Sequence, residues 1–284
     1  MLGAVQSALL GVGAGGDAGG WFLNSLVPAS ITLRSTFIGT QETAPTAVVF
    51  KPDGTKMYVL GTTSDRVYEY DLGTAWLVSS AVYNSVSFLV QGQDNSPSGL
   101  FFKPDGTKMY IVGTTNDTVY EYDLSTPWLV SSAVYNSVSF LIQGQETNPT
   151  GLFFKPDGTK MYVVGTGNDR VYEYDLSTPW LVSSAVYNSV SFFVQGQETA
   201  PSCLFFKPDG TKMYIVGSTT DTVYEYDLST PWLVSSAAYN SINFFVGVQE
   251  DNPQALFFKP DGTKMYIVGQ TNNRVYEYDT SFEV

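Results

Sequence analysis

A nine-residue stretch, FKPDGTKMY, occurs five times in this chain, and each copy begins 52 residues after the one before it. The copies begin at Phe50, Phe102, Phe154, Phe206 and Phe258. A fixed period of this length is typical of repeat architectures, in which each copy buries its apolar surface only by packing against its neighbours. The period therefore constrains the fold more than any other feature of the sequence.

Each repeat contains the pattern of four β-strands. The third repeat begins with an apolar run, PTGLFFKP, and an Asp-Gly turn signal separates it from a second run, TKMYVVG. A polar turn, TGND, then leads to RVYEYDL, and a longer connection, STPWLVSSAVYN, leads to SVSFFVQGQ. Four antiparallel strands are the unit of a propeller blade. The sequence therefore predicts an all-β, five-bladed β-propeller.

The two ends of the chain predict how the ring closes. The last repeat stops after its third strand, at RVYEYDTSFEV, and a strand-like segment, STFIGTQE at residues 35–42, precedes the first repeat. One period later, residues 87–94 read SFLVQGQD, which is a fourth strand. We expect the N-terminal strand to complete the fifth blade, because an unpaired strand edge would otherwise invite association with other chains.

Residues 1–30 differ in character from the repeats. They begin MLGAVQSALLGVGAGGDAGG and contain no Lys or Arg, so the positively charged start of a signal peptide is missing. Glycines interrupt the apolar run, which argues against a membrane span. We predict a docking arm at residues 1–30, which lies against its own domain or a neighbouring chain, and a propeller at residues 31–284. Closure by the strand at 35–42 implies that the arm is dispensable for folding.

Charge and composition exclude several classes of function. The chain has 14 Lys and Arg against 27 Asp and Glu, and a net charge of −13 repels nucleic acids and anionic lipids. It has no histidine, which is the commonest general base and transition-metal ligand. A single cysteine, Cys203, allows no internal disulfide. We predict no cofactor, no metal site and no catalytic residue.

The repeat also serves as an internal control, because a residue found once per repeat is there to build the blade. The 19 tyrosines fall on four repeat positions, the ten lysines fall on two, and four of the five tryptophans precede the fourth strand. We interpret the tyrosines and tryptophans as packing between blades and the lysines as pairing with carboxylates. Lys56 and Asp71 form a predicted cross-strand pair.

The innermost strands argue against catalysis. A lactonase or glycoside hydrolase needs carboxylates placed asymmetrically near the axis. Cys203 replaces Ala or Gly of the other repeats, which indicates a crowded position near the axis, and no histidine is present to activate its thiol. None of the five strands begins with an acidic residue. They begin with Thr46-Ala47, Ser98-Gly99, Thr150-Gly151, Ser202-Cys203 and Gln254-Ala255.

An acidic residue recurs between the fourth strand of one blade and the first strand of the next. Five such carboxylates around the channel mouth would either hold a hydrated cation or form a solvated acidic rim. The solvated rim is the simpler interpretation. The residues are Glu42, Asp94, Glu146, Glu198 and Glu250.

The repeats differ most in the turns between their second and third strands, which read TTSDR, TTNDT, TGNDR, STTDT and QTNNR. Loops carry function in rigid scaffolds, and short polar side chains and arginines suit sugar hydroxyls and acidic groups. Alternatively, these residues serve only the turn conformation. The predicted ligand-binding residues are Asp65, Arg66, Asn116, Asp117, Asn168, Asp169, Arg170, Asp221, Asn272 and Arg274.

The motif FKPDGTKMY followed by VYEYDLSTPW resembles a propeller repeat of marine phage virion proteins and of some bacterial surface or secreted proteins. It is more distantly similar to the YVTN-type repeat of surface-layer propellers, which has Ser-Pro-Asp-Gly at the same place. The resemblance covers residues 31–284. It implies a non-enzymatic virion protein of the tail, fibre or capsid decoration. Its partners would be other virion proteins, through residues 1–30, and host-surface glycans. A secreted or cell-surface lectin-like propeller is the alternative.

Overall fold

The structure is a computed structural model, and it describes Trp21, Leu23 and residues 33–280. Twenty strands in these residues form five four-stranded antiparallel sheets. Each sheet is one blade. The innermost strand of every blade packs beside the innermost strands of its two neighbours, so the blades close into a ring. The prediction of an all-β, five-bladed propeller is confirmed.

The strands of each blade are given from the axis outward. Blade 1 contains β2 (Pro45–Phe50), β3 (Lys56–Gly61), β4 (Arg66–Leu72) and β5 (Ala81–Leu89). Blade 2 contains β6 (Pro97–Phe102), β7 (Lys108–Gly113), β8 (Thr118–Leu124) and β9 (Ala133–Leu141). Blade 3 contains β10 (Pro149–Phe154), β11 (Lys160–Gly165), β12 (Arg170–Leu176) and β13 (Ala185–Phe193). Blade 4 contains β14 (Pro201–Phe206), β15 (Lys212–Gly217), β16 (Thr222–Leu228) and β17 (Ala237–Phe245). Blade 5 contains β18 (Pro253–Phe258), β19 (Lys264–Gly269), β20 (Arg274–Asp279) and β1 (Arg34–Phe37).

Short 3₁₀ turns interrupt the connections to the fourth strands of the first four blades. They are Val78–Ser80, Val130–Ser132, Val182–Ser184 and Val234–Ser236. Within the described residues, no helix has the length and apolar character needed to cross a membrane.

Strand β1 closes the ring as the sequence predicted. It pairs antiparallel with β20, with Arg34 opposite Glu277 and Phe37 opposite Arg274. Arg34 bonds to two carboxylates of blade 5. The equivalent carboxylates of blade 1 accept from an asparagine, Asn84. The Arg34 Nη1 atom lies 3.1 Å from Glu277 Oε1 and 3.1 Å from Asp279 Oδ2. The two ends of the chain are therefore joined by a strand pair and by two ion pairs.

The Asp-Gly turn between the first two strands is held by hydrogen bonds within the turn and by an indole ring that covers it. Asp53 Oδ1 accepts hydrogen bonds from the backbone N–H (2.9 Å) and hydroxyl (2.6 Å) of Thr55. Gly54 has φ +72, and a Cβ atom added there would lie 2.4 Å from the Trp76 indole. Only glycine therefore fits, because the turn needs a left-handed residue and the indole lies directly over it.

Tyrosine and tryptophan pack between blades, as predicted. The Tyr58 side chain is fully buried, and its hydroxyl donates to the Trp128 carbonyl of the next blade at 2.6 Å. Its ring lies 4.6 Å from Phe102, measured between centroids. Desolvation of the hydroxyl and the nearby Glu69 carboxylate raise the Tyr58 pKa far above its usual range.

The predicted pair of Lys56 and Asp71 is also confirmed, with Nζ 2.6 Å from Asp71 Oδ1. The structure adds a second, buried partner, because Lys56 Nζ also lies 2.6 Å from Glu69 Oε1. The same three-residue group recurs in the other four blades.

Trp21 belongs to the propeller, although it falls within the predicted docking arm. Its ring is stacked near Tyr214 at 5.9 Å and lies 5.2 Å from Phe258, and a Cβ on Gly262 would clash with it at 2.4 Å. It therefore occupies in blade 5 the place that Trp76 occupies in blade 1. Leu23 is 2% exposed and follows Trp21 as the buried Val78 follows Trp76.

These two side chains extend the propeller core beyond the boundary predicted at residue 30. Trp21 lies over Gly262 in the fifth Asp-Gly turn, at the position where a tryptophan of the same repeat lies in the other four blades. We therefore expect that residues 1–30 are not dispensable as a whole. The other residues of the predicted arm lie outside the described residues.

We expect Trp21→Ala to lower the free energy of unfolding by about 3–5 kcal/mol, because it removes a buried indole and leaves a cavity between two blades. Trp76→Ala should have a similar effect. The measurement is urea denaturation of the full chain. Val248→Ala is the control, since this side chain is 78% exposed and its loss should cost about 0.5 kcal/mol or less. A midpoint for Trp21→Ala that matches the control would contradict this assignment.

Candidate binding face

The variable turns all lie on one face of the ring, which we call the turn face. It comprises the turns at residues 62–65, 114–117, 166–169, 218–221 and 270–273. The hairpins between second and third strands place them there, on the side opposite the Asp-Gly turns. The ten predicted ligand-binding residues lie in these turns or at the first position of the following strand. Each blade carries its own group of one to three.

The last residue of each turn, Asp in four blades and Asn in blade 5, has a left-handed backbone conformation. Asp65 has φ 51, the left-handed conformation that Asp and Asn tolerate best. Its carbonyl accepts the Val90 N–H at 2.8 Å, and its side chain is 7% exposed. Asp117 and Asp169 are buried to a similar degree, and Asn273 takes the same conformation in blade 5. Their ligand contact stays a prediction.

Exposed polar groups of the turn face include the asparagines one position earlier, in blades 2, 3 and 5. Asn116, Asn168 and Asn272 are exposed, and each donates to a backbone carbonyl of the preceding connection at 2.7–3.0 Å. The donated bond fixes the orientation of each amide. The amides are therefore held on the surface in a defined position.

The five carboxylates between blades are buried, so the predicted solvated rim is wrong. Glu42 is fully buried, and its Oε1 accepts the N–H groups of Ala44 (2.8 Å) and Thr63 (3.1 Å). Its Oε2 accepts the Ser64 hydroxyl at 2.7 Å. These carboxylates organise the turns, because backbone N–H groups satisfy them in place of water. Among residues 33–280 no three metal-ligating side chains converge on one point.

Blade 3 departs from this pattern. Glu146 Oε1 accepts the N–H groups of Asn148 (2.9 Å) and Gly167 (2.8 Å), but its buried Oε2 has no partner among the described residues. Gly167 stands where Thr63 and its counterparts carry a hydroxyl side chain, and Glu146 fills that space: a Cβ atom added at Gly167 would clash with Glu146 Oε1. Desolvation raises the Glu146 pKa, although the N–H groups oppose the shift.

An apolar ring surrounds the turn face at the ends of the outermost strands, and sequence reasoning missed it. One large apolar side chain per blade is 43–60% exposed. The members are Phe37, Leu89, Leu141, Phe193 and Phe245. Their signal in the sequence is weak, since the position is either Leu or Phe and looks like part of a buried strand.

Arginines begin the third strands of alternate blades, and two of them lie against this apolar ring. The Arg170 guanidinium carbon lies 5.0 Å from the centre of the Phe193 ring, and that of Arg274 lies 5.7 Å from Phe37. Arg170 Nη1 also donates to Ser191 Oγ at 3.1 Å. The contact with the ring fixes the guanidinium on the surface, where further donors remain for a ligand.

An exposed aromatic ring beside a fixed guanidinium and amide suits a ligand with one apolar face and several hydroxyls. The ring offers area for stacking, while the guanidinium and amide offer directional hydrogen bonds. Blade 3 combines all three groups, in Phe193, Arg170 and Asn168.

Cys203 lines the axis and is not on the turn face. Its Sγ lies 3.7 Å from the Leu256 carbonyl oxygen, and burial raises its pKa to about 11. The thiol is therefore protonated at neutral pH and is a poor nucleophile. The position is crowded, as predicted: a Cβ atom added at the equivalent Gly151 would lie 3.1 Å from Cys203 Cα.

Comparison with known proteins identifies the fold. No protein-family model and no curated protein matches the sequence. The chain is similar to a putative 6-phosphogluconolactonase from Bacteroides uniformis, at 14% identity and a TM-score of 0.50 over 83% of this chain and 66% of that one. It is similar to a Lactobacillus plantarum protein, at 14% identity and a TM-score of 0.51 over 80% and 64%.

A third similar structure is the Cps50 (Swd1) β-propeller domain of Myceliophteria thermophila, at 11% identity and a TM-score of 0.50 over 84% of this chain and 83% of that one. At such identities the likeness shows the propeller fold alone. The chain spans 64% and 66% of the two bacterial proteins.

We expect Glu146→Gln to raise the free energy of unfolding at pH 7 by about 1 kcal/mol, because the ionised carboxylate is buried with one oxygen unpaired. Because the pKa of Glu146 is higher in the folded state than in the unfolded state, its ionisation lowers the free energy of unfolding as the pH rises. The gain should therefore vanish near pH 4, where Glu146 is largely protonated in both states. Thermal unfolding at the two pH values measures this.

Glu198→Gln is the matched control for that substitution. Glu198 Oε2 accepts the Thr220 backbone N–H at 3.2 Å and the Thr220 hydroxyl at 2.7 Å, so an amide nitrogen there would face the N–H donor. This variant should lose about 1–3 kcal/mol at pH 7. Equal effects of the two substitutions would show that the unpaired oxygen has no role.

Proposed function

We propose that this chain is a non-enzymatic binding propeller whose turn face attaches to glycans. The observation that carries the proposal is the apolar ring with its fixed guanidinium groups, above all Phe193 with Arg170 at 5.0 Å. A phenyl ring that is 45% exposed costs solubility and contributes little to packing the blade. A binding role accounts for keeping it on the surface.

Glycans are the ligand class that matches these groups. The C–H face of a sugar ring stacks on an aromatic side chain, and its hydroxyls bond to amides and guanidinium groups. The net charge of −13 opposes polyanionic ligands, so neutral or singly acidic sugars fit better than sulfated chains. Repetition around the ring would add avidity, because weak sites on one rigid body bind a multivalent surface together.

Blade 3 is the strongest single site in this proposal. It combines the aromatic ring, the arginine and an exposed amide at Asn168. Blade 5 carries Phe37, Arg274 and Asn272, but its guanidinium carbon lies farther from the ring centre, at 5.7 Å against 5.0 Å in blade 3. Each of the other blades lacks the arginine, the aromatic ring or both.

We further propose that the propeller is displayed on a phage particle, in the tail, in a fibre or as capsid decoration. The support for this location is the resemblance of the repeat to virion propellers. Trp21 and Leu23 belong to the propeller core, so the segment that would join other virion proteins is residues 1–20. A secreted or cell-surface lectin-like propeller would use the same turn face.

We expect Phe193→Ala to weaken glycan binding at least tenfold, because the stacking surface of the strongest site is lost. A glycan array with the full chain identifies the ligand, and titration calorimetry then compares variants. Phe245→Ala is the matched control, since this ring is similarly exposed at 53% but faces Thr222 in place of an arginine. It should weaken binding less than threefold. An array without a single bound glycan would overturn the proposal.

Immunogold labelling with an antibody against residues 31–284 tests the location. Label at the tail tip or fibres would support host attachment, and label over the capsid would support decoration. Particles without label would overturn the virion location and favour the lectin-like alternative.

A further inference from the structure

The axis of the propeller contains a cavity of about 210 Å³. Residues from the innermost strands of all five blades line it, and none of the lining side chains is charged. The turn face and the apolar ring lie elsewhere on the blades. The cavity is therefore separate from the proposed glycan site, and a ligand would bind there whether or not glycans bind to the turn face.

A girdle of phenylalanines surrounds the cavity on four blades. Phe101, Phe153, Phe205 and Phe257 follow one another edge to face, with centroid distances of 5.3–5.4 Å. Blade 1 has Val49 at this repeat position. The smaller side chain leaves the girdle open on one side, because a phenyl ring is missing where the fivefold pattern requires it.

The hydroxyl groups that line the cavity donate to backbone carbonyls of the neighbouring blade. The Ser98 hydroxyl donates to the Pro149 carbonyl at 2.6 Å, and the Thr150 hydroxyl donates to the Pro201 carbonyl at 2.6 Å. At the other end the lining consists of Pro52, Pro104 and Pro260 from the Asp-Gly turns. The side chains of the lining therefore offer a ligand mainly apolar surface and no charged group.

We propose that the axial cavity binds a neutral apolar molecule of about the size of a substituted benzene. An enclosed cavity of about 150 Å³ lined by aliphatic and aromatic side chains takes up benzene. The axial cavity is larger and partly open to solvent, so it accommodates a ring with a short alkyl chain. The aromatic girdle offers edge and face contacts to such a ring. The missing phenyl ring at Val49 provides the space.

The test is titration calorimetry of the full chain with benzene, toluene, ethylbenzene and propylbenzene. Affinity should rise about fourfold per added methylene, as burial of apolar surface predicts, until the cavity is full. Val49→Phe should weaken binding at least tenfold, because it completes the girdle and fills the space. The variant should fold, since four blades already carry phenylalanine at this position.

Val82→Phe is the control for the added phenyl group, because Val82 lies on an outer strand and is 66% exposed. Its affinity for the alkylbenzenes should equal that of the unaltered chain. Methyl NMR of the unaltered chain gives an independent measurement that needs no variant. Toluene should shift the methyl signals of Ala47, Val48 and Val49. Absence of saturable binding, equal binding by Val49→Phe, or shifts confined to Leu89 and Leu141 would overturn the proposal.

Discussion

The buried glutamate of each third strand is the interaction on which the rest of the ring depends. Glu69 Oε1 accepts Lys56 Nζ at 2.6 Å and Asn84 Nδ2 at 2.9 Å, and Oε2 accepts the Val130 N–H of the next blade at 3.1 Å. A buried carboxylate is tolerable only when several donors replace its hydration. Glu277 makes the corresponding bond to Val78 N at 2.8 Å, across the point where the chain ends meet.

This constraint explains why one face of the propeller hardly varies between repeats. The glutamate fixes the position of the next blade's 3₁₀ turn, and that turn places Trp128 over the Asp-Gly turn of its own blade. The Trp128 carbonyl then accepts a hydrogen bond from the Tyr58 hydroxyl of the preceding blade. Each residue in this sequence of contacts has a partner in a neighbouring blade, so none is free to change alone. The exposed positions of the turn face take no part in these contacts and are free to differ.

Both proposed binding sites depend on small departures from symmetry. Val49 opens one side of the phenylalanine girdle, and Arg170 lies against an exposed phenyl ring where blades 1 and 2 carry leucine. The bonds from the buried glutamates of blades 1 and 3 to the next blade are kept. A repeat scaffold of this kind can acquire a site by altering single side chains while the surrounding blades keep the backbone in place.

The sequence by itself determined the fold, the number of blades, the closure by an N-terminal strand and the pairing of Lys56 with Asp71, because each follows from local pattern and from the period. Tertiary structure decided which polar side chains are buried and which apolar ones are exposed. Glu42 looks like a surface residue but is enclosed by its own turn, and Phe193 looks like core but lies at the end of an outer strand. Trp21 lies three residues before the position that the period predicts for a tryptophan, and only its contact with Gly262 in the fifth blade reveals its role. Burial depends on what neighbouring blades cover, and no single repeat contains that information.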